Sequence, residues 1–169
     1  PELAVGADLG QRVQIRRFTG SSFSLHTEML NEPGITSLAF MDRNGDALLD
    51  LVRASVQYHN LTVFTATSSL TYGYASSISF PVPSNPSHIV VADMSPDDLL
   101  DDIVLISGTT GGSGSLTIYY QNPTSVSNAN DNQLVKDLQP VLTAMGDFND
   151  DDVNEIAAYD AVRKKVRFL

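Results

Sequence analysis

Three short stretches of the chain concentrate oxygen-bearing side chains at regular spacing. They are Asp42–Asp50 (DRNGDALLD), Asp93–Asp101 (DMSPDDLLD) and Asp147–Glu155 (DFNDDDVNE). In each stretch, carboxylate, amide or hydroxyl groups occupy the first, third, fifth and ninth positions. A tight turn with this spacing directs oxygen atoms inward around a hard cation. We therefore predict a Ca²⁺ site in each of the three loops.

Each predicted site combines four side chains with the main-chain carbonyl of the seventh residue. The predicted ligands are Asp42, Asn44, Asp46, Leu48 and Asp50 in the first loop, Asp93, Ser95, Asp97, Leu99 and Asp101 in the second, and Asp147, Asn149, Asp151, Val153 and Glu155 in the third. Three carboxylates in every set favour Ca²⁺ over a monovalent ion. The second loop departs most from the pattern, since Ser95 and Pro96 occupy its third and fourth positions.

Two other interpretations of the loops compete with a calcium site. An EF-hand has similar spacing but requires a Glu at position twelve and flanking helices. Position twelve is Arg53, Val104 or Ala158, and the flanks have strand character. The second alternative is an acidic turn without an ion, in which Asp and Asn only supply turn geometry. Of the 20 acidic residues, 13 lie within the windows 42–50, 93–102 and 147–155, and this clustering favours a cation.

The segments that must position the loops have the composition of strands. Ile35–Met41 leads into the first loop and Leu51–Val56 leaves it, while His88–Ala92 and Ile103–Ser107 flank the second. These segments are short, and rich in β-branched residues or alternating in polarity. The sequence lacks a convincing 3.6-residue apolar period, so we predict an all-β fold. Pro81 predicts that the strand containing it lies at a sheet edge.

The loops recur at a nearly constant interval. Glu2, Asp50, Asp101 and Glu155 are 48, 51 and 54 residues apart, which suggests that Glu2 is the last acid of a fourth loop. We treat 1–169 as one segment with approximate repeats 1–50, 51–101 and 102–155, and with 156–169 beginning a further unit. About four short strands per period are typical of a β-propeller blade. Three blades do not close a ring, so we expect part of a larger propeller.

The loops resemble those of the FG-GAP/VCBS family of β-propeller repeats, which occur in integrin α heads and secreted adhesion proteins. The family pattern, roughly D-x-[ND]-x-D-G-x-x-D-[LI], is carried by Asp42–Leu51, Asp93–Ile103 and Asp147–Ile156. The resemblance implies consecutive four-stranded antiparallel blades in which Ca²⁺ stabilises a turn. It also implies a structural, adhesion or protein-interaction role outside the cell or at its surface.

The chain departs from this family at the sixth loop position. The family glycine there is replaced by Ala47, Asp98 and Asp152. That position often needs an unusual backbone angle, which Asp tolerates better than Ala. The paired-glycine signature that follows the loop in integrins is absent from the sequence, so kinship with integrins specifically is weak.

Composition limits the partners that we expect. A net charge of -10 argues against nucleic acid. The sequence contains no cysteine and no apolar run of the length that a membrane span needs. Asn60 begins the sequon Asn-Leu-Thr and is a predicted glycosylation site. The expected partners are a protein or glycan ligand and neighbouring blades of the same or another chain.

Two alternative functions remain open. A lectin-like propeller would use tyrosines such as Tyr119, Tyr120, Tyr72 and Tyr74 to stack against sugars. A propeller domain of a polysaccharide-active enzyme would need an acid or base in a cleft. Because no catalytic constellation stands apart from the three loops, we do not expect an enzyme.

Overall fold

The computed structural model describes residues 2–7, 11–67, 76–82, 85–94, 100–108, 114–122, 125–126, 133–138, 140–151 and 153–169. These residues form strands, turns and irregular connections, and every strand pair is antiparallel. The all-β prediction is therefore confirmed for them. Within the same ranges, there is no helix of the length and apolar character that a membrane crossing requires.

The strand bounds follow the alternating and β-branched segments of the sequence. In chain order the strands are β1 (Glu2–Ala7), β2 (Arg12–Phe18), β3 (Phe23–Leu30), β4 (Ile35–Met41), β5 (Asp50–Ser55), β6 (Asn60–Thr65), β7 (Ser76–Pro81), β8 (Pro86–Ala92), β9 (Asp102–Ser107), β10 (Gly114–Tyr119), β11 (Gln121–Asn122), β12 (Ser125–Val126), β13 (Gln133–Leu138), β14 (Pro140–Gly146), β15 (Glu155–Asp160) and β16 (Lys165–Phe168).

The strands pair into successive sheets along the chain. The first sheet has the order β1-β2-β3, the second β4-β5-β6-β7, the third β8-β9-β10-β13 and the fourth β14-β15-β16, while β11 and β12 form a separate pair. Among the described residues, none of these sheets closes on itself. β7, which ends at Pro81, is an edge strand of the second sheet, as predicted.

Each of the three acidic loops connects the first two strands of one sheet. The loops join β4 to β5, β8 to β9 and β14 to β15. Each loop therefore lies within one sheet, whereas the predicted repeats 1–50, 51–101 and 102–155 are counted from loop to loop and stay a prediction. One consequence is that the two strands flanking a loop are hydrogen-bonded neighbours, and this pairing fixes the two ends of the loop.

The buried apolar side chains of the described residues form three layers, each between two successive sheets. Successive side chains of a strand point to opposite faces, so a central strand contributes to two layers. Strand β5 is buried at all six positions. The first layer contains Val13, Ile15, Leu51 and Phe64; the second contains Met41, Val52, Ala54, Leu61, Val63, Val82, Ile89, Ile103, Leu105 and Tyr119; the third contains Val104, Leu116, Ile118, Ile156 and Ala158.

Equivalent strand positions face the same way in every sheet. The second residue of the strand after each loop is Leu51, Ile103 or Ile156, and each packs against the preceding sheet. The equivalent residue of the first sheet, Leu3, is 45% exposed. On the opposite face of the fourth sheet, Phe168 is 65% exposed. The first and fourth sheets therefore present outer faces whose counterparts in the inner sheets are buried.

Candidate metal centre

Asp42 folds the first loop by accepting hydrogen bonds from the loop's own backbone. Its Oδ1 accepts from the N–H groups of Gly45 and Asp46, at 2.8 and 3.2 Å. Its Oδ2 accepts from the N–H of Ala47 at 2.8 Å. Asp46 continues the pattern, because its Oδ1 accepts from the N–H of Leu48 at 2.8 Å. These carboxylates are therefore held within the turn by donors that the turn itself provides.

The backbone of the first loop contains two left-handed residues. Gly45 has φ 72° and Ala47 has φ 64°. The prediction of an unusual backbone angle at the sixth position is thus confirmed at Ala47. Only glycine adopts such angles without a steric cost, so Ala47 is strained. In the third loop, Asp150 has φ 65° at the position equivalent to Gly45, whereas the sixth residue, Asp152, lies outside the described residues.

Asp50 is directed into the sheet framework. The residue is fully buried. Its Oδ1 accepts from the N–H of Ala66 at 2.6 Å, and its Oδ2 accepts from the N–H of Arg43 at 3.2 Å. Burial raises the pKa of the Asp50 carboxyl, an effect that these two backbone hydrogen bonds oppose. Asp50 therefore ties the loop to the residue that directly follows β6.

The third loop brings its three predicted carboxylate ligands together. Asp147, Asp151 and Glu155 each offer an oxygen, and these oxygens all lie within 4.8 Å of one another. Two oxygens that bind the same Ca²⁺ at about 2.3–2.6 Å are up to about 5 Å apart, so this donor set fits the ion. In the part of the chain that the structure describes, it is the one such group of three.

Two hydrogen bonds hold Glu155 toward the third loop. Its Oε2 accepts from the N–H of Phe148 at 2.9 Å, and its Oε1 accepts from the amide nitrogen of Asn149 at 2.9 Å. Asp151 Oδ1 accepts from the N–H of Val153 at 3.0 Å. Asn149 and Val153, the remaining predicted ligands, thus lie beside the carboxylate group. Unlike the buried Asp50, Glu155 is half-buried, and its longer side chain reaches the other acids.

In the second loop, Ser95, Asp97 and Leu99 lie outside the described residues. Its described end shows that Asp102 occupies the place that Asp50 has in the first loop. Asp102 begins β9 and is fully buried. Its Oδ1 accepts from the N–H of Gln121 at 2.8 Å, and its Oδ2 accepts from the N–H of Met94 at 2.9 Å. The second loop is therefore one residue longer than the other two.

Asp102 cannot be identified from the acidic positions alone, because Asp101 and Asp102 are adjacent and either could end the motif. The apolar residues after the loops carry the missing signal. Leu51 directly follows Asp50 and Ile156 directly follows Glu155, so Ile103 should directly follow the equivalent acid. The position of Ile103 therefore identifies Asp102 as the equivalent acid and Asp101 as the residue before it.

The side chains of two loops reach the loop of the preceding sheet. Asp101 Oδ2 accepts from the N–H of Asp42, with 3.4 Å between the two atoms. Asn154 Nδ2 donates to the main-chain carbonyl of Asp93 at 2.8 Å. Leu100, which is buried, packs against Gly45 of the first loop. The three acidic loops therefore form a continuous row of contacts.

Glu2 and Asn60 are engaged in the sheets. Glu2 begins β1, where it pairs across the sheet with Arg17 and accepts from Arg17 Nε at 3.1 Å. Asn60 begins β6, is half-buried, and its Oδ1 accepts from Arg53 Nη2 at 3.1 Å. Glycosylation of Asn60 stays a prediction.

The predicted tyrosines differ in their surroundings. Tyr119 is buried in the layer between the second and third sheets, with its ring centroid 5.9 Å from that of Phe80. Burial raises the pKa of the Tyr119 hydroxyl. Tyr120 is half-buried, while Tyr72 and Tyr74 lie outside the described residues. Tyr119 thus serves as a core residue.

Strand β5 also carries a buried cation that was not evident from the sequence. Arg53 forms an ion pair with Glu32, and the two side chains are only 4% and 14% exposed. The guanidinium also donates to Thr62 Oγ1 at 2.7 Å and lies 5.7 Å from the Phe64 ring centroid. Arg53 occupies the strand face that packs against the first sheet, where it replaces an apolar contact with a polar one.

No family model matches the chain, and no curated protein matches its sequence.

Proposed function

We propose that this chain is a calcium-stabilised segment of a β-propeller of the FG-GAP/VCBS type. Its role is structural, in adhesion or protein interaction outside the cell or at its surface, with a protein or glycan as ligand. The observation that carries the proposal is the convergence of Asp147, Asp151 and Glu155 within one loop. A hard cation is the ligand that this set of carboxylates suits best.

The chemistry of the third loop explains how a cation would stabilise the fold. Three carboxylates at short distance repel one another, and a bound divalent ion removes that repulsion. The loop joins β14 to β15, which are paired up to Gly146 and Glu155. Ca²⁺ bound at the end of this pair would favour the folded state by mass action, by about 2.7 kcal/mol at a concentration of 100 Kd.

The first two loops are proposed as weaker sites. Asp42, Asn44, Asp46 and the carbonyl of Leu48 would supply oxygens in the first loop. Asp50 would remain the anchor that links the loop to Ala66. It would also become a ligand if its Oδ2 turned away from the N–H of Arg43 and toward the cation. In the second loop, Asp93, Ser95, Asp97 and Leu99 keep their predicted roles, and Asp102 takes the role of anchor.

The packing of the sheets supports the blade assignment. The second and third sheets have four antiparallel strands each, and the four sheets are stacked in chain order with an apolar layer between neighbours. The exposed outer faces around Leu3 and Phe168 have the character of the buried layers. Neighbouring blades, of this chain or another, would cover them.

The decisive experiment is a calcium titration by isothermal calorimetry, combined with thermal unfolding in EDTA and in Ca²⁺. We expect heat of binding and a higher Tm in Ca²⁺. Asp151→Asn should remove most of the gain at the tightest site, while Asp160→Asn, a carboxylate variant outside the loops, should keep it. If the wild-type chain gives neither heat nor a Tm shift with millimolar Ca²⁺, the proposal is wrong.

A further inference from the structure

Each apolar layer is formed by the same two kinds of sheet face. The forward face of a sheet lies toward the next sheet in the chain, and in the second sheet it is carried by Val52, Ala54, Leu61 and Val63. The backward face lies toward the preceding sheet, and in the second sheet it includes Leu51 and Phe64. Because a forward face always meets a backward face, the first sheet has an uncovered backward face and the fourth an uncovered forward face.

The forward face of the fourth sheet is exposed and rich in aromatic rings. Val166 and Phe168 occupy the positions on β16 that Leu61 and Val63 occupy on β6. Leu61 and Val63 are fully buried, whereas Val166 is 58% exposed and Phe168 is 65% exposed. The ring of Phe148 extends this surface, with its centroid 5.4 Å from that of Phe168. A contiguous exposed apolar surface of this kind is typical of an interaction site.

The backward face of the first sheet combines apolar side chains with a cation. Leu3 pairs across the sheet with Arg16, as Leu51 pairs with Phe64 in the second sheet. Arg16 therefore occupies the position of an aromatic residue. On the other side of Arg16, its partner on β3 is Leu25, which is 52% exposed. The uncovered face is thus apolar on both sides of the Arg16 guanidinium.

Neighbouring side chains fix the position of this guanidinium. Gln14 Oε1 accepts from Arg16 Nη2 at 2.8 Å and from Nε at 3.2 Å. Gln14 Nε2 in turn donates to Glu28 Oε1 at 2.8 Å, and the same oxygen accepts from Arg12 at 3.1 Å. Within the described ranges, no carboxylate forms an ion pair with Arg16. Arg16 is therefore a half-buried cation that is ordered by a neutral amide.

We propose that the forward face of the fourth sheet binds the backward face of the first sheet of a second copy of this chain. This inference rests on the blade assignment proposed above and names the neighbour that covers both faces. The contact continues, between two molecules, the stacking that occurs three times within one chain. It is a head-to-tail interface, so its repetition produces a ring if the rotation closes and a filament if it does not.

The two faces depart from the inner layers in complementary ways. In the layer between the second and third sheets, Val63 on the forward face and Tyr119 on the backward face belong to one cluster. Phe168 takes the place of Val63 on the fourth sheet, and Arg16 takes the place of Tyr119 on the first. Equivalent stacking of two copies therefore brings a guanidinium toward an aromatic ring. Arginine over an aromatic ring is a favourable contact once it is removed from water.

Charge at the loop end of the sheets favours the same occupant. The acidic loops lie at one end of their sheets, and contacts join the loops of successive sheets. Arg16 lies at this end as well, because Leu3 is equivalent to Leu51, the second residue after a loop. The third loop carries the exposed acids Asp150 and Asp151. A second copy would therefore bring a cation toward the acidic end of the fourth sheet.

The test uses two variants of the full chain, each of which disables one face. Phe168→Glu places a charge on the forward face of the fourth sheet, and Leu3→Glu places one on the backward face of the first. Sedimentation velocity over a range of protein concentrations measures association. The wild type should form oligomers as its concentration rises. Each variant alone should associate about 10-fold or more weakly, as expected when a central interface residue is lost.

An equimolar mixture of the two variants gives the most specific result. The intact first sheet of Phe168→Glu can bind the intact fourth sheet of Leu3→Glu, so the mixture should form dimers that do not grow further. Val162→Glu is the control, because Val162 is 63% exposed in the turn between β15 and β16 and lies outside both faces. It should associate as the wild type does. If Phe168→Glu does not fold, Val166→Gln on the same face replaces it.

The outcomes separate this inference from the calcium function. A wild-type chain that stays monomeric at every concentration would overturn the head-to-tail contact, even if it binds Ca²⁺. Association that is lost in Phe168→Glu but kept in Leu3→Glu would indicate contact between two fourth sheets and would also overturn it. Rescue in the mixture, in a chain that gives no heat with Ca²⁺, would support the contact and contradict only the calcium role.

Discussion

The carboxylate of Asp50 accepts a hydrogen bond from the main-chain N–H of Ala66, with 2.6 Å between Oδ1 and the nitrogen. Both residues are buried, and Ala66 directly follows the third strand of its sheet. Asp102 makes the same link to Gln121, just beyond β10. The acid that begins the second strand thus links that strand to the residues just beyond the third strand in each four-stranded sheet, in addition to any role toward a cation.

Substitution at Asp102 should therefore destabilise the fold in the absence of calcium. Asp102→Asn replaces one accepting oxygen by an amide that faces a backbone N–H, which leaves a buried donor unsatisfied. We expect a loss of about 1–3 kcal/mol in the free energy of unfolding. Asp101→Asn retains an oxygen that can accept from Asp42 and should change little. Urea unfolding in EDTA measures both, and equal losses would contradict the assignment of Asp102 as the anchor.

Removal of Arg53 should be among the most damaging single changes. Arg53→Ala leaves the buried carboxylate of Glu32 without its cation, at an expected cost of about 3–5 kcal/mol. The double variant Arg53→Met with Glu32→Gln removes both charges and should recover much of this loss. Arg12→Ala, which removes a more exposed ion pair with Glu28, should cost less than about 1 kcal/mol. Chemical denaturation of the four proteins tests this order.

Ala47→Gly should stabilise the first loop. Ala47 has φ 64°, and glycine adopts this angle without the contact that a Cβ atom makes with the backbone. We expect a gain of about 0.5–1 kcal/mol, reduced by the greater freedom of glycine in the unfolded chain. Ala92→Gly, at the end of β8 before the second loop, is the control and should be destabilising. A lower Tm for Ala47→Gly than for the wild type would contradict the strain at this position.

The turn between β15 and β16 should make stability depend on pH. The pKa of Asp160 is lowered mainly by a side-chain hydrogen bond from Arg163. Desolvation raises this pKa, but the backbone N–H groups of Arg163 and Val162 also donate to the carboxyl and lower it. A carboxyl whose pKa is lower in the folded state than in the unfolded state stabilises the folded state at pH values above the unfolded pKa of about 3.9. This stabilisation is lost as the pH falls through the folded pKa.

Arg163→Ala should therefore lower Tm at pH 7, and its difference from the wild type should shrink as the pH falls through the folded pKa of Asp160. Lys164→Ala, at the neighbouring turn position, removes a positive charge without removing the hydrogen bond to Asp160. It should show a smaller difference from the wild type at pH 7. Thermal melts of the three proteins across this range measure the effect, and a difference for Arg163→Ala that is independent of pH would rule out the Asp160 contact as its cause.

The strands could be predicted from the sequence because their side chains alternate or are β-branched. The predicted bounds of the strand before the first loop, Ile35–Met41, coincide with the observed bounds of β4. The loops could also be located, since acidic residues cluster there. The spacing of the acids does not show that Asp102, and not Asp101, is the equivalent of Asp50. Only the pattern of inward-facing apolar residues in the following strand distinguishes the two.

Features that depend on distant residues could not be predicted. The ion pair of Arg53 with Glu32 and the contact of Asn154 with Asp93 join segments that meet only after the sheets have stacked. The first strand of the second, third and fourth sheets also shifts register at the same place, between Ile35 and Ser37, Pro86 and His88, and Pro140 and Leu142. A bulge of this kind is defined by the partner strand and leaves no fixed residue type in the sequence.

The apolar layers join each sheet to the next one along the chain, and this arrangement has a consequence for unfolding. Such a molecule behaves as a linear array, whose stability is a sum of terms for each unit and for each nearest-neighbour interface. The first and fourth sheets each have one interface, whereas the second and third have two. Denaturation should therefore begin at the ends and proceed inward, with the layer around Val52 and Leu105 as the last part to open.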